Sequence, residues 1–252
     1  TLGRQMPCHY GAREQNYVTL SSPIATQLPH AVGVAWGMKR EGKADMCIGY
    51  LGDGATSEND FHTSLELAGR FTLPVVFFCQ NNQWAISVPV SRQTESTSLA
   101  IKAVAYRMPG VRVDGNDVLA CYEVTREAAE RARSGGGPTF IEALTYRIGA
   151  HSTSDDPSRY RDESITDAWR EKDPIDRFRT FIIAQGLHTE ASADALTDTL
   201  NEEIRAAVTQ VEGLPAMVPL DSMFDDVFAS RPEFLEEQAT YASQFPPPTS
   251  HG

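Results

Sequence analysis

The chain has 252 residues, of which 41% are hydrophobic and 22% are charged, so it excludes a disordered or fibrous protein and can bury one large core or two modest ones. The 34 acidic residues outnumber the 22 basic ones, and a net charge of −12 has the wrong sign for nonspecific binding to nucleic acid or anionic lipid. The longest apolar run, Leu73 to Cys79, is far shorter than the roughly 20 residues of a membrane-spanning helix. We therefore expect a soluble protein without a nucleic acid or membrane partner.

The cysteines indicate the compartment, and the first residues indicate whether the chain is part of a longer protein. Cys8, Cys47, Cys79 and Cys121 form no CxxC pair, so neither a zinc site nor a disulfide framework is indicated. This usage fits a reducing compartment, which is a bacterial cytoplasm or, as the alternative, a mitochondrial matrix. Thr1 is not an initiator Met, and the residues after it lack the pattern of a signal peptide, so we expect a processed or truncated piece of a longer protein.

The first predicted elements are a helix, a strand and a second helix. Apolar residues recur at helical spacing from Pro29 to about Arg40. A short apolar strand from Met46 to Leu51 then leads into the turn Gly52-Asp53-Gly54. After this turn, Ser57 and Asp60 resemble an N-cap box, which predicts that the second helix begins there.

The middle of the chain alternates between strands and helices. A strand from Pro74 to Cys79 is continuously apolar and ends at Asn81-Asn82, as expected of a strand buried on both faces of a parallel sheet. Val111 to Val113 and Thr139 to Tyr146 are further strands, and between them Asp117 caps a helix that runs to about Arg133. This order predicts an α/β fold with a doubly wound, mainly parallel sheet and helices on both faces. Ligands of such sheets bind beyond the carboxyl ends of the strands.

The last third of the sequence is predicted to be helical. Asp173-Pro174 opens one helix, and Ser192 opens a longer one with apolar residues about every four positions. We expect these helices to pack on the sheet or on a partner subunit. The predicted organisation is a cofactor-binding α/β domain over 1–165, a helical part of that domain or subunit-contact region over 166–243, and a flexible tail over 244–252.

The most informative motif is Gly52-Asp53-Gly54, followed after 26 residues by Asn81-Asn82. Mg²⁺ prefers oxygen ligands and often shares them with a phosphate, and Asp53 and Asn82 carry a carboxylate and an amide oxygen. The glycines would let the backbone approach a diphosphate, and the following helix would direct its amino end toward that charge. Each motif alone is more often a surface turn or loop. Their spacing, however, equals one strand–helix–strand crossover, which would bring both ligands to neighbouring strand ends.

Together these motifs resemble the cofactor signature of the thiamin diphosphate-binding fold. The surrounding sequence is similar to the alpha-subunit family of the branched-chain 2-oxoacid (2-oxoisovalerate) dehydrogenases. Most of the first 160 residues take part in this resemblance, and FDDVF at Phe224 to Phe228 extends it more weakly. The matching stretches are GRQMPCHYG at 3–11, SSPIATQLPHAVG at 21–33, GDGATSENDFH at 52–62, QNNQWAIS at 80–87, RVDGNDV at 112–118 and YRIGAHSTSDDPSRYR at 146–161.

The resemblance implies thiamin diphosphate and Mg²⁺ as cofactors and K⁺ as a further ion. It implies that Mg²⁺ binds Asp53, Asn82 and the main-chain carbonyl of Trp84. The segment over 21–27 matches a potassium-binding loop of the family. Without the resemblance, this segment would be interpreted as an ordinary strand-to-helix turn. The remaining implied contacts are Gly52, Gly54, Ala55 and Asn82 at the diphosphate, Ser22 and Ile24 at the aminopyrimidine ring, and Ser21, Pro23, Thr26 and Gln27 at K⁺.

His151 is the candidate catalytic residue, because its family counterpart approaches the diphosphate and the reacting end of the cofactor. A lone His is more often a hydrogen-bonded structural residue than a catalyst, but this one follows a predicted strand on a polar loop. Ser152 matches a position that is phosphorylated in mitochondrial members, although a solvent-facing Ser is the simpler interpretation. Ion pairs among four residues are expected to order this loop: Arg147, Asp155, Tyr160 and Arg161. The alternative is that they lie on the surface and contribute little to stability.

The implied function is oxidative decarboxylation of branched-chain 2-oxoacids with acyl transfer to a lipoyl group. The implied partners are a beta subunit, which completes the active site in an α₂β₂ heterotetramer, and a lipoyl-bearing acyltransferase core. The alternatives are a pyruvate or acetoin dehydrogenase alpha subunit, or a noncatalytic assembly subunit. The last alternative arises because family members carry a further segment before the position of Thr1, with a Tyr-Arg pair on the diphosphate. Gln80 also stands where some relatives place an Arg on that group.

Overall fold

The computed structural model describes residues 9–214, 219–225 and 228–245. Ser21–Glu190 form one compact unit, and the described parts of Thr1–Leu20 and Ala191–Gly252 form a second. Cys8, the middle of the FDDVF motif and most of the predicted tail over 244–252 lie outside the described residues. Among the residues described, no helix is both long enough and apolar enough to cross a membrane.

A parallel sheet of four strands forms the centre of the unit Ser21–Glu190. In chain order the described strands are β1 (Cys47–Gly52), β2 (Val75–Asn81), β3 (Trp84–Ala85), β4 (Val88–Pro89), β5 (Gly110–Asp114) and β6 (Thr139–Leu144). The parallel sheet has the order β1-β2-β6-β5, while β3 and β4 pair antiparallel as a separate short ribbon. The four predicted strands are therefore confirmed, and the ribbon is an addition.

Helices precede, connect and follow these strands. The α-helices are α1 (Gln27–Arg40), α2 (Asn59–Phe71), α3 (Val90–Gln93), α4 (Val118–Arg133), α5 (Glu163–Arg170), α6 (Pro174–Ala184), α7 (Glu190–Glu212) and α8 (Glu233–Ala242). Short 3₁₀ helices lie at Arg13–Gln15, Asp53–Ser57, Ala100–Tyr106, Pro157–Arg159 and Leu220–Phe224. The helices predicted from Pro29 and from Asp173-Pro174 are confirmed, and the helix predicted from Ser192 begins slightly earlier.

Both faces of the sheet are covered, as a doubly wound fold requires. Phe61 of α2 packs with Phe77 and Phe140 of the sheet in a core that also includes α1 and residues of the 3₁₀ helix Ala100–Tyr106. On the opposite face, Ile141 packs in a second core with Ala128 of α4. Full burial of such side chains contributes about 1.5–3 kcal/mol each, so apolar packing on both faces holds the sheet. The predicted fold class is confirmed.

The start of α4 follows the sequence prediction. The Asp117 carboxylate accepts hydrogen bonds from the backbone N–H groups of Leu119 and Ala120, each at 3.0 Å. These two donors belong to the first turn of the helix, where no backbone acceptor is available. The short side chain of Asp117 therefore fixes where α4 begins, directly after the strand that ends at Asp114.

The predicted start of α2 is wrong. Ser57 and Asp60 do not form an N-cap box, because residues Asp53–Ser57 continue as a 3₁₀ helix before α2 begins at Asn59. Glu58 is the N-cap residue with an extended backbone, and its side chain forms no capping hydrogen bond. The Thr56 hydroxyl donates to the Asp53 carbonyl at 2.8 Å, and this local bond favours the 3₁₀ turn over an immediate start of the α-helix.

The second compact unit contains nearly all of α7. Its apolar stripe consists of exposed side chains: Leu196, Leu200, Ile204, Val208 and Val211. Exposed apolar residues that are contiguous along one helix are typical of surfaces that contact another protein. In the sheet-containing unit, Ile175, Phe178 and Phe181 of α6 are also exposed.

Gly69 of α2 lies where the 3₁₀ helix Ala100–Tyr106 crosses it. A Cβ atom built on Gly69 would be only 2.1 Å from the Tyr106 carbonyl oxygen. By contrast, a Cβ on Gly33 of α1 would have no atom within 4 Å. A side chain at position 69 would therefore force apart two elements that frame one face of the core.

We expect Gly69→Ala to lower the free energy of unfolding by about 1–3 kcal/mol, because the added methyl group overpacks this crossing. The matched substitution Gly33→Ala should raise it by roughly 0.5–1 kcal/mol through its higher helix propensity. Urea denaturation of both variants measures the difference. Equal effects of the two substitutions would show that the crossing is not tight.

Candidate functional site

The register of the sheet aligns the carboxyl ends of three neighbouring strands. Gly52 of β1 pairs with Gln80 of β2, and Asn81 of β2 pairs with Leu144 of β6. The residues that follow the strands, including Asp53 and Asn82, therefore lie at one edge of the sheet. The expected convergence of three segments at this edge is confirmed, and we call it the carboxyl edge.

Asp53 carries a buried carboxylate at the carboxyl edge. The residue is only 1% exposed, and its Oδ2 accepts a hydrogen bond from Gln93 Nε2 at 2.8 Å. Burial raises the pKa of Asp53, although Gln93, the backbone N–H groups of Asp53 and Asn82, and the charge of Arg147 act in the opposite direction. Because β1 and β2 are neighbours in the sheet, the Gly-Asp-Gly and Asn-Asn motifs lie at neighbouring strand ends, as their spacing predicts.

The turn after β2 is built from two side-chain-to-backbone hydrogen bonds. Asn81 Oδ1 accepts from the backbone N–H of Gln83 at 3.0 Å, and Asn82 Oδ1 accepts from the backbone N–H of Trp84 at 3.0 Å. Gln83 adopts a left-handed conformation with φ of 70°, and its side chain donates to the Thr145 carbonyl at 2.7 Å. The turn therefore has a defined shape and is attached to the end of β6.

Lys102 is connected to the backbone of Asp53 by hydrogen bonds through Thr56. Lys102 Nζ donates to both the carbonyl and the hydroxyl oxygen of Thr56 at 3.1 Å, and Thr56 donates to the Asp53 carbonyl. Burial lowers the pKa of Lys102. Gln93 lies 40 residues from Asp53 in sequence. Sequence reasoning missed Lys102 and Gln93 because no motif connects positions so far apart.

The two glycines beside Asp53 have different surroundings. A Cβ on Gly54 would lie 2.8 Å from the Cβ of Ala85, whereas a Cβ on Gly52 would have no atom within 4 Å. Gly54 is therefore required by the close approach of the β3–β4 ribbon, independently of any ligand. Ala55 is buried beside it. Of these two glycines, only Gly52 has open space where a Cβ atom would lie.

Arg147 connects the turn after β2 with the loop that carries His151. Its backbone N–H donates to the Asn82 carbonyl at 3.2 Å, and its Nη1 donates to the Trp84 carbonyl at 3.4 Å. Nη2 donates to the Ile86 carbonyl at 2.6 Å and to the Tyr160 hydroxyl at 2.8 Å. The guanidinium group thus binds polar groups from both segments.

The loop is held by hydrogen bonds where ion pairs were expected. Tyr160 donates its hydroxyl proton to Asp155 Oδ2 at 2.6 Å, and the backbone N–H of His151 donates to the same oxygen at 2.8 Å. These two bonds lower the pKa of Asp155, with smaller help from the charge of Arg147. Arg161 Nη1 and Nη2 donate to the carbonyls of Arg147 and Ile148 at 2.6 and 2.8 Å.

His151 itself is exposed on this loop, as is Ser152. Ser152 Oγ lies 3.2 Å from Ser154 Oγ. The hydrogen bond to Asp155 holds the His151 backbone, and the His151 residue is exposed at the surface of the chain. The structure therefore fixes where the loop passes.

The segment that contains the expected potassium and aminopyrimidine residues precedes α1. Ala25 has a left-handed backbone with φ of 67°, which turns the segment sharply into the helix. The Thr26 backbone N–H donates to the Pro23 carbonyl at 3.4 Å, and Gln27 Nε2 donates to the Tyr50 carbonyl at 2.9 Å. Ser21 is partly exposed, and Ser22 and Ile24 are exposed. Gln27 thereby attaches this segment to β1.

The oxygen atoms at the carboxyl edge suit a hard divalent cation. Within the described ranges, no three or more His, Cys, Asp or Glu residues gather as a metal cluster. A metal at this edge would therefore depend on the Asp53 carboxylate together with amide and carbonyl oxygens such as those of Asn82 and Trp84. All-oxygen ligands of this kind favour Mg²⁺ over Zn²⁺. Trp84 Nε1 is also buried without a hydrogen-bond partner.

The sequence of the chain is similar to those of known proteins of one family. A model of the family "Dehydrogenase E1 component" matches residues 1–219. The chain is 49% identical over 222 residues to "3-methyl-2-oxobutanoate dehydrogenase subunit alpha" of Mycobacterium tuberculosis, covering 87% of the chain and 59% of the relative. It is 43% identical to "2-oxoisovalerate dehydrogenase subunit alpha 1, mitochondrial" of Arabidopsis thaliana (94% of the chain, 50% of the relative). It is 41% identical to the corresponding mitochondrial subunit of Homo sapiens (97% and 57%). The chain thus spans about half the length of these relatives.

We expect Tyr160→Phe to release the loop, because it removes the hydroxyl that joins Arg147 to Asp155. The pKa of Asp155 should rise toward its ordinary value, since its largest favourable contact is lost. The backbone amide of His151 should also exchange with solvent faster. An NMR titration of the Asp155 carboxyl group and hydrogen exchange at His151 measure both effects. Tyr122→Phe, at an exposed tyrosine of α4, is the control. An unchanged Asp155 pKa would show that Tyr160 does not hold the loop.

Proposed function

The chain belongs to the dehydrogenase E1 component family, and on that premise we propose that it is the alpha subunit of a thiamin diphosphate-dependent branched-chain 2-oxoacid dehydrogenase. The proposed substrates are branched acids such as 3-methyl-2-oxobutanoate, a choice supported by the names of the relatives. The structural observation that carries the proposal is the buried Asp53 carboxylate beside the turn that contains Asn82 and Trp84.

The residues at the carboxyl edge fit Mg²⁺. A buried carboxylate whose side-chain partner is the neutral amide of Gln93 retains a large cost of desolvation, which a cation would offset. We propose that Asp53, Asn82 and the Trp84 carbonyl hold the metal, and that Gly52, Gly54 and Ala55 lie against the diphosphate. Oxygen ligands and a shared phosphate are what Mg²⁺ prefers.

Thiamin diphosphate, when bound, supplies the nucleophilic carbon and the electron sink that decarboxylation requires. The residues of this chain would bind and orient it. Ser22 and Ile24 are proposed to contact its aminopyrimidine ring. His151 is proposed as the catalytic residue, which acts electrostatically or as a proton donor during acyl transfer at the reacting end of the cofactor. The hydrogen bonds through Asp155 and Tyr160 would keep its loop in place for that role.

We also propose that K⁺ binds the segment before α1, through Ser21, Pro23, Thr26 and Gln27. The left-handed Ala25 turns this segment, and its Ser, Thr and Gln side chains and Pro23 carbonyl are the oxygen donors that it offers. The Gln27 amide group donates to the Tyr50 carbonyl, so its own oxygen is the ligand that it would offer. The ion would stabilise the connection between this segment and β1.

The proposed partners are a beta subunit, in an α₂β₂ assembly, and a lipoyl-bearing acyltransferase core. The names of the relatives describe subunits, and the exposed apolar stripe of α7 supports a protein partner. We propose a reducing compartment, a bacterial cytoplasm or alternatively a mitochondrial matrix, since Cys47, Cys79 and Cys121 are free thiols.

Substitution of the proposed metal ligand tests the site. Asp53→Asn should weaken Mg²⁺-dependent binding of thiamin diphosphate by at least about tenfold, because it removes the only charged ligand proposed. Asp45→Asn, just before the amino end of β1, changes the net charge equally and should have no effect. Calorimetric titration of the assembled subunits measures both affinities. Wild-type affinity in Asp53→Asn would remove this residue from the site.

Reconstitution tests the activity. The chain assembled with its beta subunit, thiamin diphosphate and Mg²⁺ should release carbon dioxide faster from 3-methyl-2-oxobutanoate than from pyruvate, and the chain alone should be inactive. Faster turnover of pyruvate, or activity toward acetoin, would instead assign one of the related dehydrogenases. A stable complex that binds no cofactor would contradict the enzymatic proposal and support a noncatalytic assembly role.

A further inference from the structure

Glu142 is a buried acid in the middle of the sheet. It lies in β6, is 1% exposed, and faces the core that contains Phe140 on the same strand. Its Oε1 accepts from Asn81 Nδ2 at 2.7 Å, and its Oε2 accepts from the backbone N–H of Ala100 at 2.9 Å. Arg112 Nε is 3.9 Å from Oε1, and the Arg112 side chain is half exposed. A carboxylate buried on mainly neutral donors costs stability, which indicates a role beyond packing.

The first oxygen of Glu142 leads to the turn after β2. By accepting from Asn81 Nδ2, it fixes the orientation of the Asn81 amide, so that Asn81 Oδ1 faces the Gln83 backbone N–H. That bond holds Gln83 in its left-handed conformation. The left-handed residue in turn directs the Trp84 backbone N–H onto Asn82 Oδ1. Glu142 thereby controls the segment that carries two of the proposed metal ligands.

The second oxygen of Glu142 leads to Asp53. Ala100 is the first residue of the 3₁₀ helix Ala100–Tyr106, and its backbone N–H is one of the donors that the helix itself cannot satisfy. Lys102 of the same helix donates to Thr56, and Thr56 donates to the Asp53 carbonyl. The 3₁₀ helix, held by Glu142, therefore stabilises the position of Asp53, the third proposed metal ligand.

We propose that Glu142 is a positioning residue that sets the placement of Asp53 relative to the Asn82–Trp84 turn. It acts through one hydrogen-bond chain from each carboxylate oxygen and contacts neither metal nor cofactor. The inference rests on the proposed metal site. It assigns a function to the one acidic residue of β6, whose other residues are apolar apart from Thr139.

The role of Glu142 can be tested by exchanging hydrogen-bond donors and acceptors while the size of the side chain stays almost the same. In Glu142→Gln, the new NH₂ group must face either Asn81 Nδ2 or the Ala100 N–H, and both are donors. Flipping the Asn81 amide only moves the conflict to the Gln83 N–H. Asn81→Asp alone places two carboxylates in contact. In the double variant the new amide donates to the new carboxylate, Gln83 and Ala100 keep acceptors, and the formal buried charge is unchanged.

Titration of the full chain with Mn²⁺, followed by electron paramagnetic resonance, measures the metal affinity. We expect each single substitution to weaken Mn²⁺ binding by about 10–100-fold, and the double variant to recover most of that loss. Ile141 precedes Glu142 in β6 and faces the opposite side of the sheet. Ile141→Val should therefore lower the free energy of unfolding without changing the Mn²⁺ affinity. Wild-type affinity in Glu142→Gln, or no recovery in the double variant, would overturn the proposal.

Hydrogen exchange at the Gln83 amide, measured without metal, separates this inference from the proposed function. Exchange should be faster in Glu142→Gln and return toward the wild-type rate in the double variant. If the wild-type chain binds no Mn²⁺, the proposed metal site fails and the proposal falls with it, even where Gln83 responds as expected. If the wild type binds Mn²⁺ but Gln83 exchange is unchanged in Glu142→Gln, only the role of Glu142 is overturned.

Discussion

The burial of the Asp53 carboxylate is the constraint on which the rest of the site depends. Its position directly after β1 excludes water almost completely, and its side-chain partner is the amide of Gln93. Removing a charge from water without a countercharge is unfavourable, so the surrounding structure must supply dipoles that face the carboxylate. The backbone N–H groups of Asp53 and Asn82 and the more distant charge of Arg147 partly do so. This arrangement of a buried carboxylate and neutral dipoles supports the proposed divalent-cation site.

The same arrangement connects the proposed metal site with the loop of His151. Arg147 contacts the Asn82 and Trp84 carbonyls on one side and the Tyr160 hydroxyl on the other. Tyr160 and the His151 backbone then share one oxygen of Asp155. A ligand that shifts the turn after β2 would therefore act on the loop through the backbone and the guanidinium group of Arg147. In the proposed enzyme, this connection would couple cofactor binding to the order of the loop that carries the catalytic histidine.

The sequence predicts the sheet well because its signals are local. The apolar run ending at Cys79 and the cap at Asp117 each specify an element without help from distant residues. The convergence of Asp53 and Asn82 follows from the crossover length. The 3₁₀ turn after Asp53 was not predictable, because it depends on the bond from Thr56 and on Lys102, which is far away in sequence. Gln93 and the partners of Glu142 are tertiary contacts of the same kind, although a lone acid within an apolar strand was a signal for Glu142.

The central claim is that a divalent cation binds between Asp53, Asn82 and the Trp84 carbonyl. The most direct test is an anomalous difference map from a crystal of the protein soaked in Mn²⁺ and thiamin diphosphate. The account predicts a peak bonded to these three groups at about 2.0–2.2 Å, with further oxygens from the diphosphate. A map with no peak at the carboxyl edge, or a metal that lies away from Asp53, would contradict it.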